Sequence, residues 1–252
     1  MNEKPIANFI SNFADNPAIN EIRDLVKMFI GPLKRTLIVF FIFLIIGGFF
    51  SNNIIDFFKA LLPTNVILVA FNPAEVFVSV FTIIIGFSIV FTTPYFLFEV
   101  IRFVSPALYA KEKKTMYKII PISAILFIGG AIFGISIMAF FGLIFFSEFA
   151  TSYGIQNMWS LSGLVNALVG IAIAFGIAFQ LPIITVILVK QKMIALKTLQ
   201  KLRYHIIIIL LIISAFLTPP DVVSQVLMAT PLYLLYEGTL LYLKVTNNNS
   251  NK

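Results

Sequence analysis

Leu217-Thr218-Pro219-Pro220-Asp221-Val222-Val223-Ser224-Gln225 stands between two apolar runs, roughly 204–217 and 223–243. Paired prolines stop a helix, because each lacks an amide donor and clashes with the turn before it. Asp221 can then cap the next helix by accepting from the amides of Val223 or Ser224. An acid, an amide and two hydroxyls in so apolar a setting cost free energy unless they are paired or used. The stretch therefore reads as a turn joining two membrane helices.

The rest of the chain agrees. Of its 252 residues, 60% are hydrophobic and only 12% charged, more apolar surface than a soluble domain of this length can hide. Six apolar runs fall at roughly 36–50, 75–101, 119–147, 164–189, 204–217 and 223–243. All basic residues but Lys59 lie in the N-terminal segment, the second and fourth loops and the C-terminal end. Positive-inside asymmetry then places both termini and those two loops in the cytoplasm. The basic balance, a net charge of +7, follows from these loops rather than from a nucleic-acid surface.

The expected fold is an all-α membrane protein of six transmembrane helices, two of them short, forming a concave bundle. The short ones are the fifth and the first; about 14 residues cover roughly 21 Å, against a hydrocarbon core of about 30 Å. Pro94 and Pro182 should kink the second and fourth helices, and Gly134, Gly142, Gly170 and Gly176 permit close helix contact. Residues 1–33 read as a polar, amphipathic N-terminal segment without a cleavable leader, 34–243 as the membrane domain and 244–252 as a disordered tail.

Much chemistry is excluded. There is no cysteine, and a single histidine, His205, supports neither a metal centre nor a catalytic triad. No phosphate-cradling GxxxxGK[ST], no G-x-S-x-G and no HExxH occurs. No two acids sit at membrane depth in separate helices, as a carboxylate dyad requires. The sequence predicts no enzyme and no cofactor or metal.

Three strings carry a resemblance. The second cytoplasmic loop reads Phe103-Val104-Ser105-Pro106-Ala107-Leu108-Tyr109-Ala110-Lys111-Glu112. The fourth span contains Phe179-Gln180-Leu181-Pro182, and the last hairpin is the stretch quoted first, followed by Pro231-Leu232-Tyr233 and Tyr236-Glu237. Together, over roughly residues 32–243, they resemble the TatC family, the multispanning receptors of the twin-arginine protein translocation system. The resemblance implies a receptor that binds twin-arginine signal peptides of folded precursors. It also implies single-span TatA/TatB-like partners, oligomerisation and transport driven by the proton-motive force, in a plasma or energy-transducing membrane.

Within that resemblance, Glu112 matches the family's signal-binding glutamate, and a guanidinium pair wants carboxylates in bidentate geometry. Phe103 matches an aromatic position that would shape the peptide groove. The family's other acid, before the first span, is replaced by Pro32 in Pro32-Leu33-Lys34-Arg35. An amphipathic helix over 18–30 offers Glu21 or Asp24 in its place; alternatively one acidic contact is lost. Gln180 stands where many relatives carry a glutamate. It is read either as a partner-helix contact or as an internal hydrogen bond. Thr218, Asp221 and Gln225 are read as a polar cluster for partner docking, with helix capping as the plainer role. Glu75 falls in the first turn of the second span, without an assigned role. The competing class is a secondary transporter of a small solute, which would place polar groups near the midplane. The central spans offer only Ser88, Ser136, Asn166, Gln180 and Ser214.

Overall fold

The computed structural model describes residues 17–104, 110–191, 193–217 and 222–250. Helix α1 (Pro17–Ala60) opens on a proline, which fits a first helical position, and ends before Pro63. Strand β1 (Val66–Val69) follows. Asn72 then starts helix α2 (Pro73–Val104): its side-chain oxygen accepts from the Ala74 amide at 2.9 Å. Helix α3 (Ala110–Ile137) passes into a π-helical turn, Met138–Leu143, and then α4 (Ile144–Ser152). Chain reversal at Gly154, with φ of 69°, leads to strand β2 (Asn157–Ser160). Ser160 caps α5 (Leu161–Ala178) by accepting from the Gly163 amide. The amide missing from Pro182 interrupts that span, which resumes as α6 (Leu181–Lys190). Helices α7 (Leu196–Lys201), α8 (Arg203–Leu217) and α9 (Val222–Ser250) complete the chain.

Among the described residues, four segments are long and apolar enough to cross a membrane: Ile30–Ala60, Pro73–Phe103, Ile119–Ser152 and Leu161–Lys190. With the 15-residue α8 and the returning α9 they make the six-span bundle. The fifth span is as short as the sequence suggested. The first is not, because helix continues past the apolar run through Ser51, Asn52, Asn53 and Asp56. Nor does α1 break at residue 33; it runs unbroken through Pro32 from the N-terminal segment into the membrane. Pro94 likewise sits inside a continuous α2.

The core lies where α2, α3 and α5 meet, around Ile83, Phe127, Leu168 and Phe175, all at most 1% exposed. Glycines set the approach. A Cβ on Gly134 would meet Phe175 at 2.8 Å, and one on Gly176 would meet Phe127 at 2.7 Å. Gly86 and Gly130 do the same work and escaped the sequence reading. Gly170, by contrast, faces open space, and the nearest atoms to a Cβ on Gly142 are those of Met138, one turn back.

Two features were not legible beforehand. One is the parallel pairing of β1 with β2, from Val66 opposite Asn157 to Val69 opposite Ser160. The other is Glu75, which gathers that end of the bundle. Its carboxylate accepts from the Phe71 amide at 2.8 Å, the Ser160 hydroxyl at 2.5 Å, and the Ser162 amide and hydroxyl at 2.9 and 3.0 Å. One carboxylate thus ties the start of α2 to the start of α5.

Candidate functional site

At the opposite end, where the basic residues collect, α2 finishes on Tyr95, Glu99, Arg102 and Phe103. Spacings of three and four put these residues along one side of the helix. Glu99 is fully buried. In a lipid-facing span, an ionised carboxylate without partners is strongly disfavoured. Here the partners come from two helices. Arg35 of α1 donates from Nε to Oε1 at 2.9 Å and from Nη2 to Oε2 at 2.8 Å, a two-point fork that matches carboxylate geometry. The Tyr95 hydroxyl donates to Oε1 at 3.0 Å, and Arg102 Nη1 lies 3.8 Å away. The Arg35 side chain itself is 44% exposed. The cluster therefore pins α1 to α2 through a carboxylate that water does not reach and a guanidinium that it does.

Phe103, half-buried, lies one turn beyond Glu99 on α2. Residues 105–109 fall outside the described ones. Glu112 is the third residue of α3, so the join of α2 and α3 carries both Phe103 and Glu112; the Glu112 side chain lies outside the described residues. Glu21 and Asp24 are on the first turns of α1, and their side chains are likewise outside. Along the helix Glu21 stands about 21 Å from Arg35, and Asp24 about 16 Å, at 1.5 Å per residue.

Gln180, 5% exposed, sits at the break between α5 and α6. Its carbonyl accepts from the Ser123 hydroxyl at 2.6 Å, and its amide donates to the Ser123 carbonyl at 3.1 Å. Gln225 of α9 donates to the Leu211 carbonyl of α8 at 2.9 Å. Both amides thus find partners within the chain. Thr218 and Asp221 lie outside the described residues. Beside this hairpin Glu237 accepts from Arg203 Nη2 at 2.8 Å and from the Tyr233 hydroxyl at 2.9 Å. Ser88 and Ser136 donate to carbonyls of their own helices. Among the described residues no group of three His, Asp or Glu side chains is placed to hold a metal ion.

The sequence reading passed over Glu99 and its pairing with Arg35. A signal was present: an acid inside the second apolar run needs a cation, and Arg35 enters the first span at the same end.

The comparisons with known proteins concern nearly the whole chain. Residues 24–231 match the family model TatC, described as Sec-independent protein translocase protein (TatC). The Sec-independent protein translocase protein TatCy of Bacillus subtilis (strain 168) is 33% identical over 226 residues, covering 87% of this chain and 88% of that protein. The TatC protein of Carboxydothermus hydrogenoformans is 32% identical over 222 residues, covering 84% and 89%. Among solved structures, the crystal structure of the twin-arginine translocase receptor TatC superposes with a TM-score of 0.73 at 28% identity, over 88% of this chain and 99% of that one. The same receptor crystallised in DDM gives a TM-score of 0.74, over 86% and 98%.

Proposed function

The chain belongs to the TatC family of Sec-independent protein translocase proteins, and on that premise we propose that it is the receptor that binds twin-arginine signal peptides of folded precursors. It is a multi-pass membrane component of a protein translocase. In this reading the basic end faces the cytoplasm, and the join of α2 and α3 receives the peptide. Glu112 supplies a carboxylate for the arginine pair and Phe103 an apolar wall. Glu21 and Asp24 ride further out on α1, where they meet the peptide's flanks. Single-span TatA/TatB-like helices dock along the outer faces of α5, α6, α8 and α9, near Gln180, Thr218, Asp221 and Gln225, and the proton-motive force drives transport.

The observation that supports the reading is that Phe103 closes α2 and residue 112 falls in the first turn of α3, at the end of the bundle where a buried carboxylate, Glu99, already holds an arginine. The test is binding of a twin-arginine signal peptide to the purified full chain in detergent or nanodiscs, against the same peptide with Lys-Lys. Preference for Arg-Arg, reduced by Glu112→Ala, is the expected result. Equal binding of the two peptides by the wild type removes the receptor reading. Arg-Arg preference indifferent to Glu112 keeps the receptor and removes Glu112 from its site.

A further inference from the structure

We propose that Glu99 is the second carboxylate of the signal-peptide site, and that Arg35 occupies it as an internal stand-in until a substrate arginine takes its place. The proposal rests on the receptor reading above and deepens it.

Three observations lead here. First, the family's usual acid ahead of the first span is absent: Pro32 holds that position. A peptide with two guanidiniums wants a carboxylate for each, and Glu112 supplies one. Second, Glu99 lies one helical turn from Phe103, on the helix that delivers Phe103 to the site. Third, Glu99 is already committed to a guanidinium. Arg35 engages both carboxylate oxygens through Nε and Nη2, at 2.9 and 2.8 Å. That is the contact a peptide arginine would make.

Exchange is chemically simple. The carboxylate is desolvated before the peptide arrives, so its burial is a cost of folding rather than of binding. Arg35 leaves one guanidinium contact and another replaces it, so the number of charge-assisted hydrogen bonds on Glu99 is conserved. Arg35 can leave because its side chain is 44% exposed, so water is at hand for the released cation. Tyr95 and Arg102 stay in place to hold the carboxylate during the exchange. An ammonium cannot reproduce the two-point fork, since lysine is a compact point charge without the planar donor pair. Glu99 therefore also supplies a reason for arginine to be chosen over lysine.

The experiment measures Arg-Arg and Lys-Lys signal peptides on the full chain in nanodiscs, for the wild type, Glu99→Gln, Arg35→Gln and the double variant R35Q/E99Q. Glu99→Gln is expected to weaken Arg-Arg binding roughly tenfold or more, the scale of a lost charge-assisted pair, and to collapse the preference over Lys-Lys. Arg35→Gln is expected to act in the opposite direction, tightening Arg-Arg binding several-fold because no internal cation has to be displaced. The double variant strands no buried charge, since Arg102, the cation that remains, is 53% exposed. It carries the test if Glu99→Gln alone fails to fold, and should show the same loss of preference.

A purely structural brace predicts a different pattern: Arg35→Gln would weaken binding as Glu99→Gln does. That result overturns the proposal, as does an unchanged Arg-Arg preference in a folded R35Q/E99Q. A wild type with no Arg-Arg preference removes the receptor reading, and this proposal with it. A wild type that prefers Arg-Arg while the Glu99 variants keep that preference removes this proposal alone.

Discussion

Gly129 and Gly130 are neighbours on α3, yet alanine at the two positions should have unequal effects. A Cβ on Gly130 would stand 2.6 Å from Phe179 Cγ, 2.8 Å from Phe179 Cβ and 2.8 Å from the Phe175 carbonyl oxygen; one on Gly129 would meet nothing within 4 Å. Ordinary carbon contact begins at about 3.5 Å, so α3 and α5 would have to part by roughly 0.7 Å. A change of rotamer cannot relieve this, because one of the opposing atoms is backbone. Forced overpacking of this kind costs about 1–3 kcal/mol. Replacing glycine with alanine inside a helix also gains about 1 kcal/mol of propensity. That gain is common to both variants and cancels in their difference. Gly130→Ala should therefore be less stable than Gly129→Ala by about 1–3 kcal/mol. At about 2–4 °C per kcal/mol for a chain of this size, the gap in Tm is readily measured. The assay is thermal unfolding of both purified variants in the same detergent, followed by circular dichroism. Equal melting temperatures, or a Gly130→Ala that melts above Gly129→Ala, would refute the claim that backbone approach at Gly130 sets the α3–α5 distance.

Gln180→Leu should destabilise the bundle by about 0.6–2 kcal/mol, the range of interhelical hydrogen bonds in membranes, because the 1%-exposed Ser123 hydroxyl loses its acceptor. Adding Ser123→Ala should recover part of that loss in a double-mutant cycle, and strict additivity would show that the two side chains do not interact. Glu75→Gln should loosen the β1–β2 end, since an amide nitrogen in place of one oxygen cannot accept and the donors now divided between Oε1 (Ser160 and Ser162) and Oε2 (the Phe71 amide) cannot all be kept. Faster hydrogen exchange at the Phe71 and Ser162 amides, with red-shifted emission from Trp159, the only tryptophan, is the expected reading; unchanged exchange would show that the strands hold without Glu75.

The bundle was legible because lipid imposes a one-dimensional code. Apolar runs, basic loops and the Pro219-Pro220 pair mark spans and sides without any tertiary information. What stayed hidden depends on pairing across the sequence. Glu75 bonds to residues 85 and 87 positions away, and Arg35 to one 64 positions away. Gln180 illustrates the boundary. Its need for a partner was readable, and the two alternatives named from the sequence included the internal bond that the fold provides. Ser123 was not identifiable as that partner, because only the packing of α3 against α5 brings it there. Gly86 and Gly130 were missed for the same reason: a glycine's value lies in what opposes it.

The bundle uses one local device twice, and the difference between the two copies bears on recognition. Tyr95 and Glu99 on α2 repeat, with the same four-residue spacing, as Tyr233 and Glu237 on α9. In each case the tyrosine hydroxyl donates to the carboxylate, and an arginine from the preceding helix donates Nη2 at 2.8 Å. Both copies join the helices of a hairpin at the basic end. At the last hairpin the arrangement is open: Glu237 is 22% exposed, and Arg203 leaves its Nε buried without a hydrogen-bond partner. At the first, Arg35 uses Nε and Nη2 together, and Glu99 is closed to solvent. A one-point contact at a partly wet carboxylate accepts an ammonium almost as well as a guanidinium. A two-point contact at a dry one does not, because a missing second donor leaves a buried oxygen unsatisfied. On the proposal above, the same motif braces one hairpin and, at the other, gives Glu99 the geometry that would favour an arginine over a lysine.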